Sequence, residues 1–314
     1  MNVVILDGYT VNPGDLDWTP IANLGDLTIY DRTQDAEVVE RAKSAEILIV
    51  NKVRITGAHM DAIQQLKAIC LLATGYDNVD VGAATARNIN VYNAVGYGTE
   101  SVAQHTVAMI LGFANRVKSH HDSVQMGDWS AQKDFSYSLH TVRELKGKTL
   151  GIIGYGKIGQ RVGALARAFG MEVIALSRSG DKPGAKIVSK EELFRLSDFI
   201  SLHAPLNDGT REIINQDSID LMKSDAVIIN TGRGALINED DLISAISANK
   251  IGGAVLDVLS EEPPEASNPL FHFENVWVTP HMAWRSLEAR KALIEIVAKN
   301  IENQLSGIDE NRVN

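Results

Sequence analysis

The chain holds a single cysteine, Cys70, so no internal disulfide framework can form. That thiol lies in the apolar run Ala68-Ile69-Cys70-Leu71-Leu72 and is expected to be buried, which fits a reducing compartment and argues against a nucleophile. Basic charge is also short: 30 Lys and Arg stand against 40 Asp and Glu, a net charge of −10. Nucleic acid and anionic membranes both select basic surfaces, so neither is expected as a partner. No apolar stretch reaches the roughly 18 residues of a membrane span. The opening Met1-Asn2-Val3-Val4-Ile5-Leu6-Asp7 lacks the basic start and the apolar length of a signal peptide. Low-complexity segments are lacking too. Together these absences predict a globular, cytoplasmic protein that acts on small molecules.

What is present is a dinucleotide-phosphate signature at mid-chain, Gly154-Tyr155-Gly156-Lys157-Ile158-Gly159, after the apolar stretch Thr149–Ile153 and before a helical pattern. The first glycine permits a tight turn, the second lets backbone approach a pyrophosphate, and the third lets helix pack on strand. The helix N-terminus then faces the anion.

A length of 314 residues suggests about two domains. Before the signature, short apolar runs predict strands at Val3–Leu6, Leu27–Tyr30, Ile47–Val50, Ala68–Leu72 and Ile89–Tyr92, with helical segments such as Asp35–Lys43 and Gly57–Leu66 between them. Ser101-Val102-Ala103-Gln104 matches a capping box and opens an apolar helix through about Val117. Residues 118–148 show no clear periodicity and read as an irregular arm. After the signature, Ile158, Val162, Leu165 and Phe169 predict one apolar helix face, with Gly170 as terminator. Strands are predicted at Val173–Leu176, Phe199–Leu202, Ala226–Ile229, Ala254–Leu256 and Val276–Val278, then an amphipathic helix over Ser286–Leu305 that returns to the first half. The expected fold is α/β: a Rossmann doubly wound parallel sheet (residues 99–286) inserted into a second, smaller flavodoxin-like α/β domain (residues 1–98 plus 287–314). Between the two a cleft is expected, closing to exclude water.

Ligands of such sheets bind beyond the carboxyl ends of the strands. There the sequence places Thr231-Gly232-Arg233-Gly234, Asp257 followed by Glu261-Glu262-Pro263, and Thr279-Pro280-His281. Arginine offers a fork of donors to a carboxylate. Histidine exchanges a proton near neutral pH, and a carboxylate beside it would hold the ring. With a nicotinamide opposite, these types suit hydride transfer to or from a 2-oxo or 2-hydroxy acid. His203 of Leu202-His203-Ala204-Pro205 ends a strand at the same edge; it either contacts the cofactor, with Pro205, or packs. His120-His121-Asp122 is read as solvated or interfacial, with no metal site expected.

These pieces, with Ala73-Thr74-Gly75-Tyr76-Asp77-Asn78-Val79-Asp80, resemble the D-isomer-specific 2-hydroxyacid dehydrogenase family over essentially the whole chain. Gly98–Gln104 and Pro280–Trp284 resemble its glycerate dehydrogenase (hydroxypyruvate reductase) branch. The resemblance implies Arg233, Glu262 and His281 as catalytic residues, with Arg233 also on the substrate. It implies substrate contacts near Asn51, Thr74 and Gly75, and places Asp257 near the nicotinamide amide. It also implies a homodimer, with residues 118–148 as a candidate contact. Cofactor contacts are expected from Gly154, Gly156, Lys157, Ile158, Gly159 and Thr231.

Where Rossmann domains that prefer NAD carry an acid on the second strand end, this chain has Ser177-Arg178-Ser179. No carboxylate repels a 2′-phosphate there, so NADP(H) is expected over NAD(H). Two alternatives stay open: D-lactate or another D-2-hydroxyacid as substrate, and a non-catalytic dinucleotide-sensing module of corepressor type.

Overall fold

The computed structural model describes residues 1–178, 180 and 182–314. Its chain divides into two units, Met1–Gly98 with Trp284–Asn314, and Thr99–Ala283.

The smaller unit is a parallel sheet of β1 (Asn2–Ile5), β2 (Asp26–Ile29), β3 (Ile47–Val50), β4 (Ala68–Leu71) and β5 (Asn90–Tyr92), in the order β2-β1-β3-β4-β5. Strands β3 and β4 are buried at every position, so their sequences are unbroken apolar runs rather than alternating ones. Leu293, Ile294, Val297 and Ile301 of the helix Leu287–Ser306 cover one face of the sheet, joining Val3, Ile5, Ile47 and Ile49 in one core. Ser286 caps that helix by accepting the Ala289 N–H.

The larger unit is a seven-stranded parallel sheet. Its strands are β6 (Thr149–Ile153), β7 (Glu172–Leu176), β8 (Lys186–Ile187), β9 (Phe199–Leu202), β10 (Val227–Asn230), β11 (Gly253–Leu256) and β12 (Val276–Val278). Their order is β12-β11-β10-β9-β6-β7-β8. The chain leaves β6 toward β7 and later crosses back to β9 on the other side of β6, so the crevice of a doubly wound sheet opens at the β6 end. In register, Ile153 pairs with Leu176 and Leu202, Asn230 with Leu202 and Leu256, and Leu256 with Val278. The residues one step further, Gly154, Ser177, His203, Thr231, Asp257 and Thr279, therefore stand in one row along the carboxyl edge.

Three local expectations are corrected. The helix expected from a Ser101 cap spans Thr99–Asn115, so Ser101 lies inside it and donates its hydroxyl to the Ala283 carbonyl at 2.6 Å instead of capping. The 118–148 arm is not wholly irregular: it opens with a helix, Val117–Gln125, set off by Arg116 at φ 53°. On the helix after the glycine loop, Lys157–Ala168, Val162 is buried and Ile158 and Leu165 pack against the same core as expected, but Phe169, at its C-terminal end, is exposed. Gly170 does follow the end of the helix, at φ 77°.

Candidate active site

The glycine loop meets its steric requirements in different ways. Gly154 has φ +93°, and a Cβ there would lie 2.5 Å from Ala204 N. At Gly159 a Cβ would lie 2.4 Å from the Gly154 carbonyl oxygen. Gly156, which caps the helix Lys157–Ala168 with no side chain, is unlike both: a Cβ there meets no protein atom within 4 Å. Packing does not require that glycine. The space its missing side chain leaves lies before an uncapped helix N-terminus, as a phosphate approaching backbone N–H groups requires. The loop thus fits a dinucleotide, which Gly154, Gly156, Lys157, Ile158 and Gly159 would hold.

Around the loop, Ser177 follows β7 directly and Arg178 is exposed; Ser179 lies outside the described residues. Lys182, which sequence reasoning passed over, donates its ammonium to the Tyr155 carbonyl at 3.3 Å. It brings a second cation to the loop that follows β7. A Lys four residues beyond Arg178 was the only signal for it.

His203 pairs with Ser201 Oγ at 2.9 Å through Nε2, and burial pushes its pKa down to about 4. At neutral pH its ring is therefore uncharged. Pro205 is exposed, and its carbonyl accepts the Thr210 hydroxyl. Thr231 Oγ1 meets Thr106 Oγ1 at 3.1 Å.

The structure brings the sequence-predicted His281 and Glu262 together. His281 Nδ1 lies 2.6 Å from Glu262 Oε2, and the Glu262–Pro263 peptide is cis. The other Glu262 oxygen accepts the Leu259 N–H at 3.1 Å, which anchors the carboxylate. An ionised carboxylate only accepts, so Nδ1 carries the proton of that bond and Nε2 is the ring nitrogen outside it. His281 sits at φ 48°, a left-handed conformation costly for a non-glycine residue outside a well-determined site.

Asp257 over-determines that turn. It is 1% exposed; Oδ1 accepts Thr279 Oγ1 at 2.6 Å and Met282 N at 2.9 Å, Oδ2 accepts Ala283 N at 2.8 Å, and its carbonyl accepts the His281 N–H at 2.8 Å. His105 Nε2 approaches the same carboxylate at 3.5 Å. Sequence reasoning missed Thr279 and His105, which are separated from each other by well over a hundred residues and meet only through the fold. Arg233 lies partly buried after β10; its Nη1 donates to the Gly232 carbonyl at 2.9 Å, and among the described residues it makes no ion pair. Its fork is thus not consumed by an internal carboxylate.

In the smaller unit, Asn51 is buried, and its amide nitrogen reaches the Leu72 carbonyl at 2.5 Å. The Thr74 hydroxyl donates to Ala94 O at 2.6 Å, and Asn93 Nδ2 to Thr74 O at 2.8 Å, which fixes the Thr74-Gly75 backbone. Cys70 is fully buried in β4, and burial raises its thiol to about 12, which leaves it inert. His120 is half-buried, and its ring spans Arg116 O at 2.8 Å and the Leu139 N–H at 3.1 Å, bracing the arm. Among the described residues no cluster of three or more His, Cys, Asp or Glu could hold a metal, and no helix is long and apolar enough to cross a membrane.

A phosphate-ready glycine loop and an oriented histidine–glutamate pair on one sheet edge define a nicotinamide-dependent oxidoreductase site. Comparison with known proteins agrees. The family model for the D-isomer specific 2-hydroxyacid dehydrogenase NAD-binding domain matches residues 107–283. The chain is 39% identical to a hydroxypyruvate reductase of Blautia hydrogenotrophica over all of both chains. It is 37% identical to a glycerate dehydrogenase of Methylorubrum extorquens over 88% of each. Among solved structures, an acyclic imino acid reductase (Bsp5) in complex with NADPH and D-Arg superposes with TM-score 0.89 at 34% identity, covering all of both chains. The chain belongs to the D-isomer-specific 2-hydroxyacid dehydrogenase family, whose members exchange a hydride between a nicotinamide cofactor and a 2-oxo or 2-hydroxy acid.

Proposed function

We propose that this protein reduces hydroxypyruvate and glyoxylate to D-glycerate and glycolate, and prefers NADPH to NADH. The observation that carries the reading is the 2.6 Å contact of Glu262 with His281, which commits Nε2 of the histidine to proton exchange. The glycine loop would hold a reduced nicotinamide, which would supply the hydride for the carbonyl carbon. Nε2 gives the carbonyl oxygen its proton, and Glu262 stabilises the imidazolium until that transfer. Arg233 holds the substrate carboxylate and polarises the carbonyl with its fork of donors. The backbone N–H groups of Thr74 and Gly75, with Asn51 behind them, are further candidate donors to the carboxylate. A module that only senses a dinucleotide has no use for an oriented acid–base pair, so catalysis is the better reading.

The cofactor preference rests on Ser177, Arg178 and Lys182. Ser177, directly after β7, stands where an acid would accept the ribose hydroxyls and repel a 2′-phosphate, and Arg178 and Lys182 bring two cations to the same loop. The kcat/KM ratio for NADPH over NADH is expected to exceed about ten, since a charge-assisted phosphate contact contributes on the order of 1.5–3 kcal/mol. Replacing Ser177 by Asp should reverse that ratio; a native preference for NADH refutes the claim.

The arm after Arg116 exposes Val117, Val124, Met126, Trp129, Phe135, Leu139 and Val142, with Phe135 91% exposed. So many apolar side chains in one short segment exceed what a lone monomer usually leaves to water. A second copy of this chain is the proposed cover, which makes the protein a homodimer.

A further inference from the structure

In the smaller sheet the chain goes from β1 out to β2 and returns past β1 to β3, so β1 and β3 are neighbours at the point where the strand order reverses. That position is where an open α/β sheet takes its ligand. The crevice is built for an anion: the consecutive N–H groups of Asn51, Lys52 and Val53, at the end of β3, converge in one nest. The chain fills it itself. Asp7, just beyond β1 and 5% exposed, takes the Asn51 N–H on Oδ1 at 2.8 Å, and the Lys52 and Val53 N–H groups on Oδ2 at 2.6 and 3.0 Å. From that turn the bonding continues to β4. Asn51 Nδ2 reaches Leu72 O at 2.5 Å, and Asn78 Nδ2 reaches Val53 O at 2.8 Å. Both ends of the Ala73–Asp77 loop, which carries Thr74 and Gly75, are thereby tied to the turn that Asp7 holds.

We infer that Asp7 is a built-in anion that occupies the ligand nest of the smaller sheet and positions the Asn51–Val53 and Thr74–Gly75 backbones for the substrate carboxylate. This rests on the proposed substrate role of Thr74 and Gly75. The nest is closed to substrate, so the external carboxylate binds one strand over, beyond β4. Asp7 touches no substrate; it acts through the turn it holds. Removing it takes the shared acceptor from three N–H groups, that of the buried Asn51 among them, and leaves a space the size of a carboxylate.

The test is anion rescue. Asp7→Ala should raise KM for hydroxypyruvate about ten-fold or more, with little change in kcat or in NADPH affinity. Formate or acetate should then lower that KM again and raise the melting temperature of the variant, while leaving the unaltered protein's melting unmoved. Asp7→Asn, which keeps the shape but sets an amide N–H₂ against N–H donors, should show the same KM defect without rescue. An unchanged KM in either folded variant overturns the inference, as does a melting temperature of Asp7→Ala that no carboxylate shifts. If the unaltered protein turns over no 2-oxo acid, the proposed reaction fails; the melting experiment still decides whether Asp7 fills an anion nest.

Discussion

Single residues in this protein are fixed by their neighbours' unused valences. Glu262 gives one oxygen to a backbone N–H and the other to His281, so the ring cannot rotate without breaking a charge-assisted bond. His203 is the opposite case, a histidine held neutral. Its pKa falls from 6.5 to about 4 on burial, so between those values the unfolded chain binds a proton that the folded chain refuses. Its contribution is complete above pH 6.5 and is lost as pH falls toward 4, about 3 kcal/mol in all. Urea midpoints should therefore drop between pH 7 and pH 5, and His203→Gln should remove most of that drop. An equal drop in the variant would assign the pH dependence elsewhere. At this scale Arg233 and His281 were readable as candidates because each follows a strand end, and Glu262 through the family resemblance. Asp257's grip on the 279–283 turn, the His105 contact and Asp7's nest were not, because sequence gives residue types without saying which lone pairs are spoken for.

Among the elements, the glycine loop separates two reasons for having no side chain. Gly159 has none because the protein's own backbone is in the way; Gly156 has none although nothing of the protein is. Gly156→Ala should accordingly fold with a melting temperature close to that of the unaltered protein, yet bind NADPH about ten-fold or more weakly, as followed by nucleotide fluorescence. Gly159→Ala should lose stability, since a Cβ 2.4 Å from a carbonyl oxygen forces helix and strand apart. Equal effects of the two substitutions on melting would contradict this division. Most strands were legible because burial on both faces makes them apolar runs, and the predicted ends fall within a residue or two of the observed ones. The two-residue strand Lys186–Ile187 is too short to carry a pattern, and the helix Val117–Gln125 presents mostly polar residues. Ser101 matched a capping motif but sits inside a helix, because a motif match does not say where the turn before it ends.

For the molecule as a whole, the sheet order and the mid-chain loop define an NAD(P)-dependent dehydrogenase of the D-2-hydroxyacid family. If the proposed homodimer forms through the arm, light scattering at micromolar concentration should give twice the 34.2 kDa of one chain. A monomer there, unchanged by substituting Phe135 with a polar residue, would remove the arm from any interface. The central claim is a reduction in which His281 supplies the proton. It is tested most directly by incubating hydroxypyruvate with NADPH and resolving the glycerate formed by chirality, for the unaltered protein and for His281→Ala. The account predicts D-glycerate in equal amount to the NADPH consumed, and a fall in kcat of about 10²–10⁴ in the variant with NADPH still bound. L-glycerate as product, or near-normal turnover without His281, would contradict it.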